Sequence, residues 1–152
     1  MVSTLQHSLW GAIIYLALKL FNVGSFQSYD YLIIFVLLTQ IPDFDLLIYL
    51  FKRNDVDHRT YFHNIFFYLL FCSICSFFLP LDIVFLSVGS HFILDLMDNR
   101  GVALLYPFTK KRVFFLRFGR DCEIPLKFFY EKNIFFTIFS FILLFVLILI
   151  NL

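Results

Sequence analysis

Apolar residues fill this chain in long runs, and the informative positions are the few polar ones that interrupt them. A membrane-spanning helix needs roughly 17–25 mostly apolar residues. Five runs approach that length: about Ser8–Val23, Tyr31–Phe51 with a break near Pro42, Phe62–Leu79 ended by Pro80, Ile83–Met97, and Ile134–Leu152. Only the last lacks an internal charge, histidine or proline. The pattern predicts an all-α protein: one domain over residues 1–152, a polytopic bundle of about five transmembrane helices, with a cytoplasmic loop between the fourth and fifth.

Composition strengthens this reading. Hydrophobic residues make up 61% of the 152 and charged residues 15%, with 24 phenylalanines. Soluble domains run near half apolar and about a quarter charged, so a soluble protein of this size would leave a large apolar surface facing water. The net charge of +1 provides no field to attract nucleic acid, and no nucleic-acid partner is expected. Cys72, Cys75 and Cys122 do not make a disulfide framework, and the Cys72–Cys75 pair reads as small packing residues within an apolar run. The N-terminus has no basic segment ahead of its apolar run, so a cleaved signal peptide is not expected. Nothing in the pattern fixes an oligomeric state.

The placement of cations sets an orientation, because Lys and Arg are retained on the cytoplasmic side. Apart from Lys19, every Lys and Arg falls in Lys52–Arg59 or in Asp98–Lys132. The connectors Asn22–Asp30 and Leu79–Asp82 hold none. Five spans put the two basic segments on one side and the bare ones on the other. The expected localisation is an integral protein of the inner or plasma membrane, N-terminus cytoplasmic and C-terminus outside.

With that topology, seven ionisable residues share one level. His7 lies at the inner mouth of the first helix, and Asp43 and Asp45 in the inner half of the second. His58 and His63 flank the start of the third, and His91 and Asp95 lie near the inner end of the fourth. His91 and Asp95, four apart, point from the same helix face. Pro42 lacks an N–H and breaks the second helix, which frees Asp43 and Asp45 to converge. A single membrane histidine usually bonds a neighbouring helix. Seven such groups at one depth, including every histidine in the chain, form a ligand set for one or two divalent ions. A proton or ion pathway uses the same residue types.

These residues carry a resemblance. His7, Pro-Asp-Phe-Asp at Pro42–Asp45, His-Arg-Thr-Tyr-Phe-His at His58–His63, His-Phe-Ile-Leu-Asp at His91–Asp95, and Gly101–Phe108 follow one another. In that order and spacing the chain resembles the YdjM-like membrane-bound metal-dependent hydrolases, some of them under LexA-type repressor control. That family is distantly similar to the helical zinc phospholipase C and nuclease group. The middle motif departs from the family's usual form, with Thr60, Tyr61 and Phe62 between His58-Arg59 and His63.

The resemblance and the residues together imply metal-dependent hydrolysis of a phosphoester or other ester, lipid-derived substrates included, at the cytoplasmic leaflet. The expected metal ligands are His7, Asp43, Asp45, His58, His63, His91 and Asp95. Asp45, His63 and Arg59 are the expected catalytic residues, with Arg59 gripping a phosphate oxygen. Zinc suits the histidine share; manganese and iron take the same donors. The basic and aromatic segment Thr109–Phe129 suits an anionic headgroup layer, which makes membrane lipid the expected partner. Tyr106-Pro107-Phe108 reads as a turn closing the site, with Gly101 permitting the chain to turn after the fourth helix. The competing readings are a small ion or proton conduit built on the same cluster, and a structural membrane protein clamped by a metal.

Overall fold

The computed structural model describes residues 4–44, 61–97, 101–113 and 134–151. Among them are five α-helices: α1 Thr4–Leu20, α2 Leu32–Leu38, α3 Ile65–Cys75, α4 Leu81–Leu96 and α5 Ile134–Asn151, with a 3₁₀ turn at Ile41–Phe44. The one strand-like pairing among the described residues is an isolated antiparallel bridge between Val102 and Val113.

Local chemistry sets the helix ends. α1 stops in a Schellman closure: the Val23 N–H donates to the Leu18 carbonyl (3.1 Å) and the Asn22 N–H to that of Lys19 (2.9 Å). Asn22 takes the left-handed conformation this closure needs, at φ 51°. The Asn64 side chain caps α3 by accepting from the Phe67 N–H at 2.8 Å. Pro80 precedes α4. α2 gives way after Leu38 to the 3₁₀ turn that contains the buried Pro42, because a proline ring clashes with a continuing helix and supplies no N–H.

These ends differ from the apolar runs. α1 begins at Thr4, so His7 lies within the helix instead of ahead of it. α3 is shorter at both ends than Phe62–Leu79, running from Ile65 to Cys75. The part of the second run from Asp45 to Phe51 lies outside the described residues. No helix among the described residues is long and apolar enough to cross a membrane. Two of these ends have local causes: the proline break after α2 and the Asn22 closure of α1.

The helices alternate in direction. α1 and α5 run parallel, tied at one end by Gln6 donating to Thr137 Oγ1 (3.4 Å) and at the other by Asn151 donating to the Leu16 carbonyl (3.4 Å). The main core lies among α1, α2, α3 and α4. Its centre is an edge-to-face trio of Tyr15, Phe26 and Phe35, with centroids 5.1–5.6 Å apart. Tyr68 extends it against Phe92 at 5.4 Å and donates to the Phe85 carbonyl at 2.8 Å. Cys72 is buried in this core and Cys75 packs against it. Large apolar side chains also cover the outside: Phe77 is 84% and Phe78 85% exposed, and α5 presents Phe141, Ile142 and Phe145 outward.

The connectors at the end of the bundle away from His7 are tied locally. Asp82 Oδ2 accepts from the Ser25 N–H at 2.7 Å, and Asp82 Oδ1 from the Ile83 N–H at 3.0 Å. Asp30 accepts from the Ser28 hydroxyl at 2.7 Å. Lys19 lies 4.2 Å from the centroid of the Tyr29 ring, a cation–π contact.

Candidate metal centre

Because neighbouring helices alternate in direction, the N-terminal ends of α1 and α3 meet the C-terminal ends of α2 and α4. This brings His7 from α1, Asp43 from the 3₁₀ turn, His63 ahead of α3, and His91 and Asp95 from α4 to one place. His7, His63, His91 and Asp95 are all 1% exposed or less, and Asp43 has 11% exposure.

Four atoms converge most closely. His63 Nε2 and His91 Nε2 lie 3.1 Å apart. Asp95 Oδ2 is 3.0 Å from His63 Nε2 and 3.2 Å from His91 Nε2. Asp43 Oδ1 is 3.8 Å and 3.6 Å from the same two nitrogens. A tetrahedral ion with arms of about 2.05 Å has ligand-to-ligand edges of about 3.3 Å, and these five separations bracket that length.

Backbone chemistry fixes the protonation pattern. His91 Nδ1 lies 2.6 Å from the Thr39 carbonyl oxygen. A carbonyl can only accept, so Nδ1 carries the hydrogen, and in the neutral ring Nε2 presents a bare lone pair. This is the arrangement in which a ligating histidine is oriented by a bond from its other nitrogen. Three of the four converging atoms are therefore acceptors (His91 Nε2 and two carboxylate oxygens), with His63 Nε2 the fourth member. Such a set fits a cation: buried carboxylates without a positive partner are expensive, and the donor types are those of zinc and similar ions.

His7 joins the cluster through His91 and Asp95. Its ring stacks on His91 with centroids 3.7 Å apart at 14°, and its Nε2 is 3.5 Å from Asp95 Oδ1. His7 Nδ1 is buried with no hydrogen-bond partner among the described residues. Two three-residue groups capable of holding an ion share His91: His7, Asp43 and His91, and His63, His91 and Asp95.

Five of the seven sequence-derived ligands thus meet. Asp45, His58 and Arg59 lie outside the described residues. The 101–113 segment borders the site: the Ile65 N–H, two residues beyond His63, donates to the Leu104 carbonyl at 2.9 Å. Gly101 there has a positive φ of 62°, a conformation that glycine adopts without strain.

Thr39 carries no mark in the sequence, because its part is played by a main-chain oxygen. Gly11 belongs with it. A Cβ at Gly11 would lie 2.8 Å from Thr39 Cγ2, closer than real contacts allow, so glycine lets α1 pass the very residue that orients His91. A polar residue at the end of an apolar helix opposite a glycine is the kind of pairing that marks close helix approach.

An all-helical fold with a buried His and Asp cluster at one end and apolar side chains over its outside defines a small helical membrane protein with a candidate metal centre. The chain belongs to the YdjM inner membrane protein family, whose family model matches residues 1–151. No curated protein and no solved structure matches it.

Proposed function

We propose that the chain is a membrane-embedded, metal-dependent hydrolase that cleaves a phosphoester or another ester at the cytoplasmic leaflet. The observation that carries this reading is the acceptor-rich convergence of His63, His91, Asp43 and Asp95, with the His91 lone pair set by the Thr39 carbonyl. With neutral imidazoles, the two carboxylates carry two negative charges, which one divalent cation balances. Without it, Asp95 at 1% exposure would hold a charge at a cost of several kcal/mol.

His63, His91, Asp43 and Asp95 would hold the ion, zinc most naturally and manganese or iron by the same donors. When bound, such an ion polarises an ester oxygen and acidifies water. The chain's own residues supply the rest. Thr39 orients His91, and the apolar core of Tyr68 and Phe92 restricts water. His7, stacked on His91, takes the proton from the attacking water at Nδ1. Arg59 binds a phosphate oxygen.

The family's location in the inner membrane and the outward Phe77, Phe78 and α5 side chains support a lipid-embedded bundle. The clustering of Lys and Arg in 52–59 and 98–132 supports a cytoplasmic N-terminus and an outward C-terminus. A conduit would need polar groups through the whole bundle, whereas Asp30 and Asp82 at the far end are bonded locally to Ser28 and Ser25.

The test is metal analysis of the detergent-purified protein against His91→Ala and Asp43→Ala, followed by a phosphatase and phospholipase screen with and without chelator. Stoichiometric metal in the wild type, its loss in the variants, and chelator-sensitive turnover are expected. Equal trace metal in all three sinks the ligand set. Metal without turnover leaves a structural clamp, and ion flux in liposomes without turnover replaces the enzyme with the conduit.

A further inference from the structure

The loop after α4 has a construction that the metal centre does not require. Val102 and Val113 exchange two backbone hydrogen bonds, at 3.1 and 2.9 Å, which close residues 102–113 into a compact loop. Its base is anchored: Val102 is fully buried in the core and Ala103 is 3% exposed. Its flank is stitched to the start of α3 by the Leu104 carbonyl bond to Ile65, by Tyr106 against Tyr61 (centroids 5.4 Å), and by Phe108 against Phe66 (5.3 Å). Four side chains of the loop face outward. Phe108 is 82% exposed, Leu105 is 51% exposed, and Lys110 and Lys111 are exposed beside them. The segment 101–113 holds no acidic residue.

An anchored loop that shows an aromatic ring and an aliphatic side chain to its surroundings, with two adjacent ammonium groups, is unfavourable in bulk water on the apolar side and in hydrocarbon on the charged side. It suits the boundary between the two, where rings sit among glycerol and acyl carbons and cations meet phosphates. The loop leaves the bundle at the end that holds His63 and His91, so the boundary it marks lies beside the metal centre. We infer that the 101–113 loop is a binding site for the headgroup of an anionic phospholipid, with Lys110 and Lys111 on the phosphate and Phe108 and Leu105 against the upper acyl chain. The inference goes beyond the hydrolase reading and does not depend on it.

The experiment titrates detergent-purified full-length protein with phosphatidylglycerol or phosphatidylcholine and counts bound lipids by native mass spectrometry. The wild type is expected to retain phosphatidylglycerol in preference to phosphatidylcholine. Lys110→Gln combined with Lys111→Gln is expected to weaken phosphatidylglycerol binding roughly 30-fold, from two cations near an anionic surface. Lys110→Arg with Lys111→Arg is expected to keep it. Phe108→Ser is expected to weaken both lipids. Equal binding of the two lipids by the wild type, or no loss in the double glutamine variant, overturns the inference. So does displacement of the lipid by glycerol 3-phosphate, which would make the loop a site for soluble phosphates. Metal content measured on the same samples is expected to stay at the wild-type level, so failure here and failure of the metal reading are told apart.

Discussion

The imidazole of His91 donates from Nδ1 to the main-chain carbonyl of Thr39 at 2.6 Å, and this bond decides which nitrogen faces the cluster. Thr39 is itself held where α1 crosses α2, against Gly11. A methyl at position 11 meets Thr39 Cγ2 at 2.8 Å, so the residue whose carbonyl orients His91 must shift or α1 must back away. Gly11→Ala is therefore expected to lower metal affinity by about 10–100-fold, the usual cost of disturbing a partner that orients a ligand. Thr39→Ser removes the Cγ2 atom that the new methyl meets, so the double variant Gly11→Ala/Thr39→Ser is expected to recover most of the affinity. Competition with a chromogenic chelator reads both.

The innermost ligands are expected to behave differently from Gly11. His63→Ala and His91→Ala each remove an atom from the tightest group and Asp95→Asn removes its charge, and each is expected to lose more than that 10–100-fold. Binding to the native state alone stabilises it by about 2.7 kcal/mol when free ion stands at 100 times Kd. Chelator is therefore expected to lower the wild-type Tm in detergent and to leave the Tm of His91→Ala where it is. Equal chelator shifts in both would place the ion elsewhere.

His7 separates the one-ion and two-ion arrangements. It stacks on the ring of His91, and its Nε2 lies 3.5 Å from Asp95 Oδ1. His7→Gln is expected to keep one ion per chain while turnover falls by about 10²–10⁴-fold, the range for losing a general base. A wild type with two ions per chain and a variant with one would assign His7 to a second ion through the group it forms with Asp43 and His91.

The sequence exposes the cluster more fully than the helices around it. The four-residue spacing of His91 and Asp95 and the proline ahead of Asp43 state their geometry directly, since helical periodicity and a missing N–H are properties of the residues themselves. The span lengths were less legible. The Asn22 closure that ends α1, and the first turn of α3 that starts only after Asn64, depend on capping bonds that an apolar run does not reveal. Thr39 was invisible because its contribution is a carbonyl, which every residue possesses. Tyr106-Pro107-Phe108 and Gly101 read as turns in the sequence, but the Val102–Val113 bridge does not show there, since that pairing depends on two backbone groups eleven residues apart.

The last prediction concerns the end of the bundle away from the cluster, where Asp82 joins the α1–α2 connector to α4. Burial pushes the Asp82 carboxyl up, but hydrogen bonds from Ser25 and from the Ile83 N–H outweigh it, so the group sits below its ordinary value. A carboxyl with a depressed folded pKa stabilises the native state above its unfolded value, near 3.9. That contribution disappears as pH falls through the folded value. Asp82→Asn is expected to lower the Tm at pH 7 and to leave it unchanged at a pH well below the ordinary aspartate range, where the wild type has lost the same contribution. Gly24 supplies an independent check. It has a φ of +49°, and a Cβ there would run into the Asp82 carboxylate. Gly24→Ala is expected to destabilise the protein by about 1–3 kcal/mol through the strained conformation, with metal content unchanged because the connector lies at the opposite end from His91. If Gly24→Ala lowers metal content along with Tm, the two ends of the bundle are coupled and the connector is not a separate fastening.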